Sequence, residues 1–311
     1  MNHEDQGSMT SQTLTAMLRQ SVSSTYPDLV VDGLDKVEIL DAVYQRAGWT
    51  AVVSLGRALR TLTWHPVIRA LLAARSLEAI AERWMRLERF GHSRNYTKLL
   101  DCRRDGGITT LRLRHVARDG GAIAAVNDLF VWGIFIGLME AAHVEHLEAG
   151  LQVDASSPLF SLYGEMQAPS SAPLPEITHT LVLSGHLPAT AFSAEVEVLD
   201  EGDPSMKGRL AALQRHDLLE VWQLADAARL LGVSGRSLQR ALHQEGTTFS
   251  MVVHHTRIEA AQHLMSDPQL KLTDIAFCVG FADQAHFTRT FRTLCDVPPS
   301  AFRALLLTSQ A

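Results

Sequence analysis

Two short stretches carry side chains suited to reading the edges of bases. Arg236, Gln239 and Arg240 follow Gly232 and Ser234, and Gln284, Ala285 and Arg289, with Arg292 beyond, follow Gly280 and Asp283. A guanidinium reaches guanine O6 and N7 through two parallel hydrogen bonds, and a carboxamide reaches adenine N6 and N7 in the same way. That chemistry requires the side chains to be exposed and held at a fixed angle. The flanking residues supply the condition. Leu238 and Leu242 are one helical turn apart, and so are Phe287 and Phe291. Each pair forms the inner stripe of a helix. Arg236, Gln239 and Arg240 then face outward in the first helix. In the second, Gln284, Ala285 and Arg289 lie on or near the outer side, flanked by Thr288 and Arg292.

The elements that must position these helices are written twice. The first copy runs Ala227-Ala228-Arg229-Leu230-Leu231-Gly232-Val233-Ser234, and the second Ile275-Ala276-Phe277-Cys278-Val279-Gly280-Phe281. Each reads as a short apolar helix, a glycine corner and a second helix, the order of a helix-turn-helix. Ser234 and Asp283 are suited to cap the helices that follow. Between the copies, Phe249 to Met265 has apolar residues at Phe249, Val252, Val253, Ile258, Ala261 and Leu264, a helical run. Seventeen residues would make a rod of roughly 26 Å. A stiff rod would let the two outer faces enter successive major grooves, about 34 Å apart.

The segments "LLGVSGRSLQRAL", "LMSDPQLKLTDIAFCVGFADQAHFTRTFRTL" and "VPPSAFR" resemble the AraC/XylS family of bacterial transcription regulators. The resemblance covers about the last 90 residues. It implies a sequence-specific regulator bound to double-stranded DNA. Arg236, Gln239 and Arg240 would be base-facing in the first reading helix, and Gln284, Ala285 and Arg289 in the second. Asp296 stands where the family usually has glycine, so that turn needs an aspartate in or near the left-handed region. Ala285 stands where a longer side chain often reads a base, which weakens direct readout there. The run "HPVIRALLAARSLEAIAERWMRLERF", followed by two strands and a long helix, resembles the arabinose-binding-like effector domain of one branch of the family. That implies a small-molecule effector, a homodimer and, for an activator, RNA polymerase as a partner. The alternative is a ligand-independent regulator whose N-terminal half dimerises or holds a protein partner.

The bulk of the sequence is compatible with this and excludes other classes. The 311 residues are enough for two domains. Net charge is −6, but residues 207–311 hold 11 Lys and Arg against 9 Asp and Glu, a balance of +2. So weak an excess argues against strong non-specific binding to phosphates; specific binding depends on clustering on one face. No apolar run is long enough to span a bilayer, and the first residues lack the basic start and apolar core of a secretion signal. Cys102, Cys278 and Cys295 have no metal-ligand spacing and suit a reducing cytoplasm. Without Gly-x-Ser-x-Gly, a phosphate-binding glycine loop or His-Glu-x-x-His, an enzyme is not expected, nor is a cofactor.

The fold expected is an α+β N-terminal domain followed by an all-α C-terminal domain with two helix-turn-helix units joined by a linker helix. The expected divisions are a disordered tail at 1–11, an α+β effector-binding or dimerisation domain at 12–200, a linker and leading helix at 201–216, and the DNA-binding domain at 217–311. Within the first domain, helices are expected at 13–23, 35–46, 49–62, 67–74 and 76–90, and strands at 95–102, 108–116, 177–183 and 194–199. One long helix is expected from Ala122 to Leu147, and a loop-rich stretch from Gly150 to Pro175. Glu140, His143 and His146 would then share a helix at metal-ligand spacing. No matching Glu-x-x-His accompanies them, so a solvated helix end is the plainer reading and no metal is assigned. Arg112 and Arg114, among the arginines around the hairpin, are either a solvated strand face or an anionic-ligand or nucleotide-binding surface. Trp84, Phe130 and Phe135, with Trp132, are either core or the wall of an effector pocket. Trp84, Arg112, Arg114, Phe130 and Phe135 are the effector-site candidates.

Overall fold

In the computed structural model, residues 12–63, 65–90, 94–153, 156–164, 180–188 and 204–309 are described. The chain divides into two compact units, Met1–Phe192 and Ser193–Ala311.

The first unit begins with α1 (Gln12–Thr25), α2 (Lys36–Ala47), α3 (Trp49–Arg57), α4 (Pro66–Leu72) and α5 (Leu77–Phe90). Local chemistry starts these helices. Asp35 and Glu38 exchange backbone and side-chain hydrogen bonds at the start of α2, at 2.8 and 2.9 Å, a capping box. Ser76 Oγ accepts from the Ala79 amide at 3.0 Å at the start of α5. The centre of the unit is α6 (Ala125–Ala141), buried from Val126 through Met139. Its composition is apolar on all sides because all its sides are covered. One side meets α3 at close range. A Cβ placed on Gly133 would lie 2.2 Å from the Val53 carbonyl oxygen, and one on Gly56 would lie 2.2 Å from the Phe130 carbonyl oxygen. Only glycine permits the two backbones to approach this far.

Another side of α6 meets a five-stranded antiparallel sheet: β1 (Asn95–Asp105), β2 (Ile108–Ala117), β3 (Glu145–Gln152), β4 (Phe160–Tyr163) and β5 (Thr180–His186). The spatial order is β1-β2-β5-β3-β4. Strand alternation assigns the faces. Leu111, Leu113 and His115 are buried, and His115 Nδ1 lies 2.8 Å from Asp128 Oδ1 of α6. Opposite His115 stands Thr97, whose amide and hydroxyl bond the Glu88 carboxylate of α5 at 2.6 and 3.1 Å. Burial pushes the Glu88 carboxyl above its ordinary range, and the Thr97 and His115 contacts oppose that.

Two expectations are corrected here. The long helix does not reach Leu147. It ends at Ala141, and the chain turns at His143, left-handed at φ 56°, into β3, whose second residue His146 is also left-handed at φ 51°. Glu140, His143 and His146 therefore do not share a helix. Glu140 instead accepts from Arg57 at 2.6 Å, Arg60 at 2.9 Å and the Tyr163 hydroxyl at 2.9 Å. Burial raises its pKa, but these donors together hold the carboxyl below its ordinary range. The stretch read as loop-rich contains β4, which pairs with β3. The strand expected at 194–199 and the tail at 1–11 lie outside the described residues, as does the expected boundary at 200.

The second unit is helical among the described residues: α7 (Met206–Arg215), α8 (Leu224–Leu230), α9 (Gly235–Gln244), α10 (Phe249–Leu264), α11 (Leu272–Cys278), α12 (Gln284–Cys295) and α13 (Pro299–Ser309). Leu210, Ala211 and Leu213 of α7 join Ala227, Ala228, Leu231, Leu238, Leu242 and Val252 in one core. The start of α7 is tied down by Glu245, whose carboxylate accepts from the Met206 and Lys207 amides at 2.8 Å. The leading helix expected within 201–216 packs into this C-terminal core.

The α3–α6 crossing carries a direct test. Gly133→Ala forces a methyl group into the Val53 carbonyl and should cost about 3 kcal/mol. Chemical denaturation should show the loss in the first unit, whereas Gly120→Ala, in open space, should cost no more than its backbone strain of about 1–2 kcal/mol.

Candidate nucleic-acid interface

The two glycine corners are built alike to the level of individual hydrogen bonds. After α8, Gly232 has φ 70°. Its amide bonds the Arg229 carbonyl at 3.2 Å, and the Val233 amide bonds Ala228 at 2.9 Å. After α11, Gly280 has φ 86°. Its amide bonds Phe277 at 2.9 Å, and the Phe281 amide bonds Ala276 at 3.1 Å. Both are Schellman ends, in which a left-handed residue satisfies the last helical carbonyls and turns the chain sharply. The next helix starts on a side-chain cap in each case. Ser234 Oγ accepts from Ser237 at 3.1 Å, and Asp283 Oδ1 accepts from His286 at 2.7 Å.

Packing then decides which side of α9 and α12 is left outside. Leu238 and Leu242 are buried beneath α9, and Phe287 and Phe291 beneath α12. Phe281, Phe287, Phe291 and Phe302 form a chain of edge-on contacts at 5.3, 5.7 and 5.3 Å. All eight sequence-derived interface candidates are exposed: Ser234, Arg236, Gln239 and Arg240 on or beside α9, and Gln284, Ala285, Arg289 and Arg292 on α12. None of the four arginines has an ion-pair partner among the described residues. Four guanidinium groups held on two short helices by buried neighbours, and not neutralised by a carboxylate, are available to phosphates and base edges.

Between the corners, α10 spans 16 residues, ending one residue before the expected Met265. At ~1.5 Å per residue it is a rod of about 24 Å. Val252 joins the first core, while Ile258, Ala261 and the capping residue Met265 are also buried. Arg257 of α10 is a fastening that sequence reasoning missed. Its guanidinium lies 5.9 Å from the Phe281 ring centroid and bonds the Leu218 and Glu220 carbonyls at 3.4 Å. Burial lowers its pKa. Gly280 is closed on the same side: a Cβ there would lie 2.0 Å from the Leu218 carbonyl oxygen. Nothing in the spacing of Arg257 distinguishes it from a surface arginine. His254, one turn before it, stacks on Phe281 and meets the His286 ring edge-on at 5.9 Å. Burial first, then the charges of His286, Arg257 and His255, lowers its pKa.

The five effector candidates do not converge on one surface. Trp84, Phe130 and Phe135 are buried, with Trp84 and Phe135 in edge contact at 5.8 Å. Arg112 and Arg114 alternate with Leu111, Leu113 and His115 and so lie on the other face of β2.

Residues 227–305 match the family model described as a helix-turn-helix domain. This C-terminal part of the chain is such a domain, and its relatives place it in the AraC/XylS type. It is 34% identical over 80 residues to the transcriptional activator NphR of a Rhodococcus species, covering 26% of this chain and 24% of that one. It is 41% identical over 80 residues to the ornithine utilization regulator of Pseudomonas aeruginosa, again covering 26% and 24%. A solved transcriptional regulator from Chromobacterium violaceum, described as having an AraC-type DNA-binding domain, shares 28% identity over 30% of this chain and 86% of that one, with a TM-score of 0.30. The chain thus matches about a quarter of the length of the first two relatives. No helix among the described residues is long and apolar enough to cross a membrane.

Asp296 does occupy the left-handed region, at φ 61°, closing α12 with its amide on the Arg292 carbonyl at 3.0 Å. Asp296→Gly should therefore stabilise the C-terminal unit by about 0.5–1 kcal/mol, read as a rise in its unfolding midpoint. An unchanged or lowered midpoint would show that the aspartate side chain contributes more than its backbone strain costs.

Proposed function

We propose that the chain is a sequence-specific, DNA-binding regulator of transcription. In this reading α8–α9 and α11–α12 are two helix-turn-helix units joined by α10. The exposed side chains of α9 and α12 read bases in successive major grooves. The observation that carries the reading is the repetition of one corner: the same two hydrogen bonds about a left-handed glycine, each followed by a capped helix with an unpaired basic outer edge. Arg236, Gln239 and Arg240 carry most of the base contacts on α9. On α12, Gln284 and Arg289 do so, with Ala285 offering only apolar contact, for instance to a thymine methyl group. Ser234 and Arg292 sit where phosphates would pass. The names of the relatives, an activator and a regulator of ornithine utilization, support a role in transcription.

The N-terminal unit would sense a small-molecule effector. Binding would shift the population toward the form competent for DNA, with a homodimer as the working species and RNA polymerase as a partner in activation. A second reading gives this unit dimerisation or protein binding alone. It is favoured by Trp84 and Phe135, whose buried rings pack edge-on against each other at 5.8 Å.

Arg240→Ala should weaken specific binding by about 1–3 kcal/mol and relax one base position. A gel-shift titration against a selected site and its single-base variants measures both. Loss spread evenly over all sequences would make Arg240 a phosphate contact, and unchanged affinity would remove it from the interface.

A further inference from the structure

On the face of the sheet turned away from α6, the strand register gathers cations that make no ion pair among the described residues. Lys98 of β1 stands directly opposite Arg114 of β2. Arg112 is two residues along the same strand, a separation of about 7 Å. On the other side of Arg114 is Thr180 of β5. Arg114 Nη2 donates to Thr180 Oγ1 at 3.0 Å, while its Nε is buried and has no partner. Lys98 and Arg112 have no hydrogen bond or ion pair among the described residues. The acid in register with Arg112 is Asp101, and it is taken by Arg103 Nε at 2.7 Å. Asp105, at the hairpin end opposite Ile108, and Glu148, beyond β5 on β3 and opposite Ser184, are further acids on this face, and no ion pair joins either to Lys98, Arg112 or Arg114 among the described residues.

This arrangement is unfavourable as it stands. Like charges directly opposite each other on one sheet face destabilise the pair. A buried N–H without an acceptor costs the desolvation of that group. A single oxyanion lying across Lys98 and Arg114 removes both penalties. The guanidinium fork matches a carboxylate or phosphate with two parallel bonds, and the ammonium adds a point charge. The Thr180 hydroxyl holds one arm of the fork in place.

We propose that Lys98, Arg112, Arg114 and Thr180 form a binding site for the oxyanion group, carboxylate or phosphate, of a small effector. The site lies on the opposite side of the sheet from the aromatic core. It rests on the effector-sensing reading given above, and it narrows that reading: the effector is an acid, and a neutral sugar is not recognised here. Arg114 makes the bidentate contact, Lys98 contributes charge, and Arg112 receives a second oxygen or a second acidic group about 7 Å away.

The test is thermal unfolding of the full chain at constant ionic strength, with millimolar inorganic phosphate, acetate or succinate against chloride and glucose. An oxyanion should raise the unfolding temperature, and the shift should grow with its logarithmic concentration; chloride and glucose should not do so. Comparing phosphate with the carboxylates identifies the preferred group, and succinate against acetate tests the contribution of Arg112. Arg114→Gln should weaken the effective oxyanion at least tenfold while leaving the anion-free unfolding temperature unchanged or raised. An arginine with only a structural role would lower it. No oxyanion-specific shift, or a shift that persists in the Arg112→Gln/Arg114→Gln double variant, overturns the site. Specific DNA binding measured on the same preparation separates the two readings. If DNA binding is retained and no oxyanion binds, the site falls and the regulator stands; if an oxyanion binds and no DNA sequence is selected, the site stands and the regulator falls.

Discussion

Burying Leu238 and Leu242 under α9, and Phe287 and Phe291 under α12, decides which side chains of those helices meet solvent. A helix has one outer face once its inner stripe is committed to a core. With these four residues inside, Arg236, Gln239, Arg240, Gln284 and Arg289 are outside. The two Schellman corners then set the direction in which each outer face points, because the left-handed glycine and its two hydrogen bonds leave little freedom in the turn. The rest of the C-terminal unit serves this constraint. The Glu245 carboxylate ties the start of α7 to the end of α9, Arg209 bonds the Leu231 carbonyl at the first corner, and Arg257 fastens the second. α10 supplies buried residues along its length.

The N-terminal unit is organised by another close fit. Gly56, Gly133 and Gly137 let α3 and α6 meet backbone to backbone. That contact fixes α6 at the centre, and α6 in turn orients β2 through Asp128 and His115. Because Leu111, Leu113 and His115 are drawn inward, Arg112 and Arg114 are driven to the opposite face, beside Lys98. Core packing and the placement of charge are thus two consequences of one strand alternation.

The C-terminal half was legible in the sequence because its determinants are local. Glycine after an apolar turn, a serine or aspartate cap, and an apolar pair one turn apart are read within a dozen residues, and the structure has each of them where they were expected. The N-terminal half was legible only in part. α3 ends at Arg57, five residues before the expected Leu62, but α1, α2, α4, α5 and the β1–β2 hairpin were expected within a few residues, since amphipathic period and the Gly106–Gly107 turn mark them. β3 was not. It follows α6 with no glycine or proline between, and the break is made at His143, in a conformation that residues other than glycine rarely adopt, repeated at His146 inside the strand. β4 was hidden by polar, proline-containing flanks and by its length of four residues. The meeting of Lys98 with Arg114 depends on register across a bulge between Leu99 and Asp101. Linear spacing carries no sign of such an offset.

In the proposed complex α9 and α12 address one duplex together, from a fixed separation. Selection of bound duplexes from a random library, using the full chain, tests it most directly. Two clusters of preferred bases should emerge, their centres about one helical turn, ~10 base pairs, apart, with stronger preferences in the cluster read by α9. A single short cluster, or two clusters whose spacing varies freely among the selected sequences, would contradict the account.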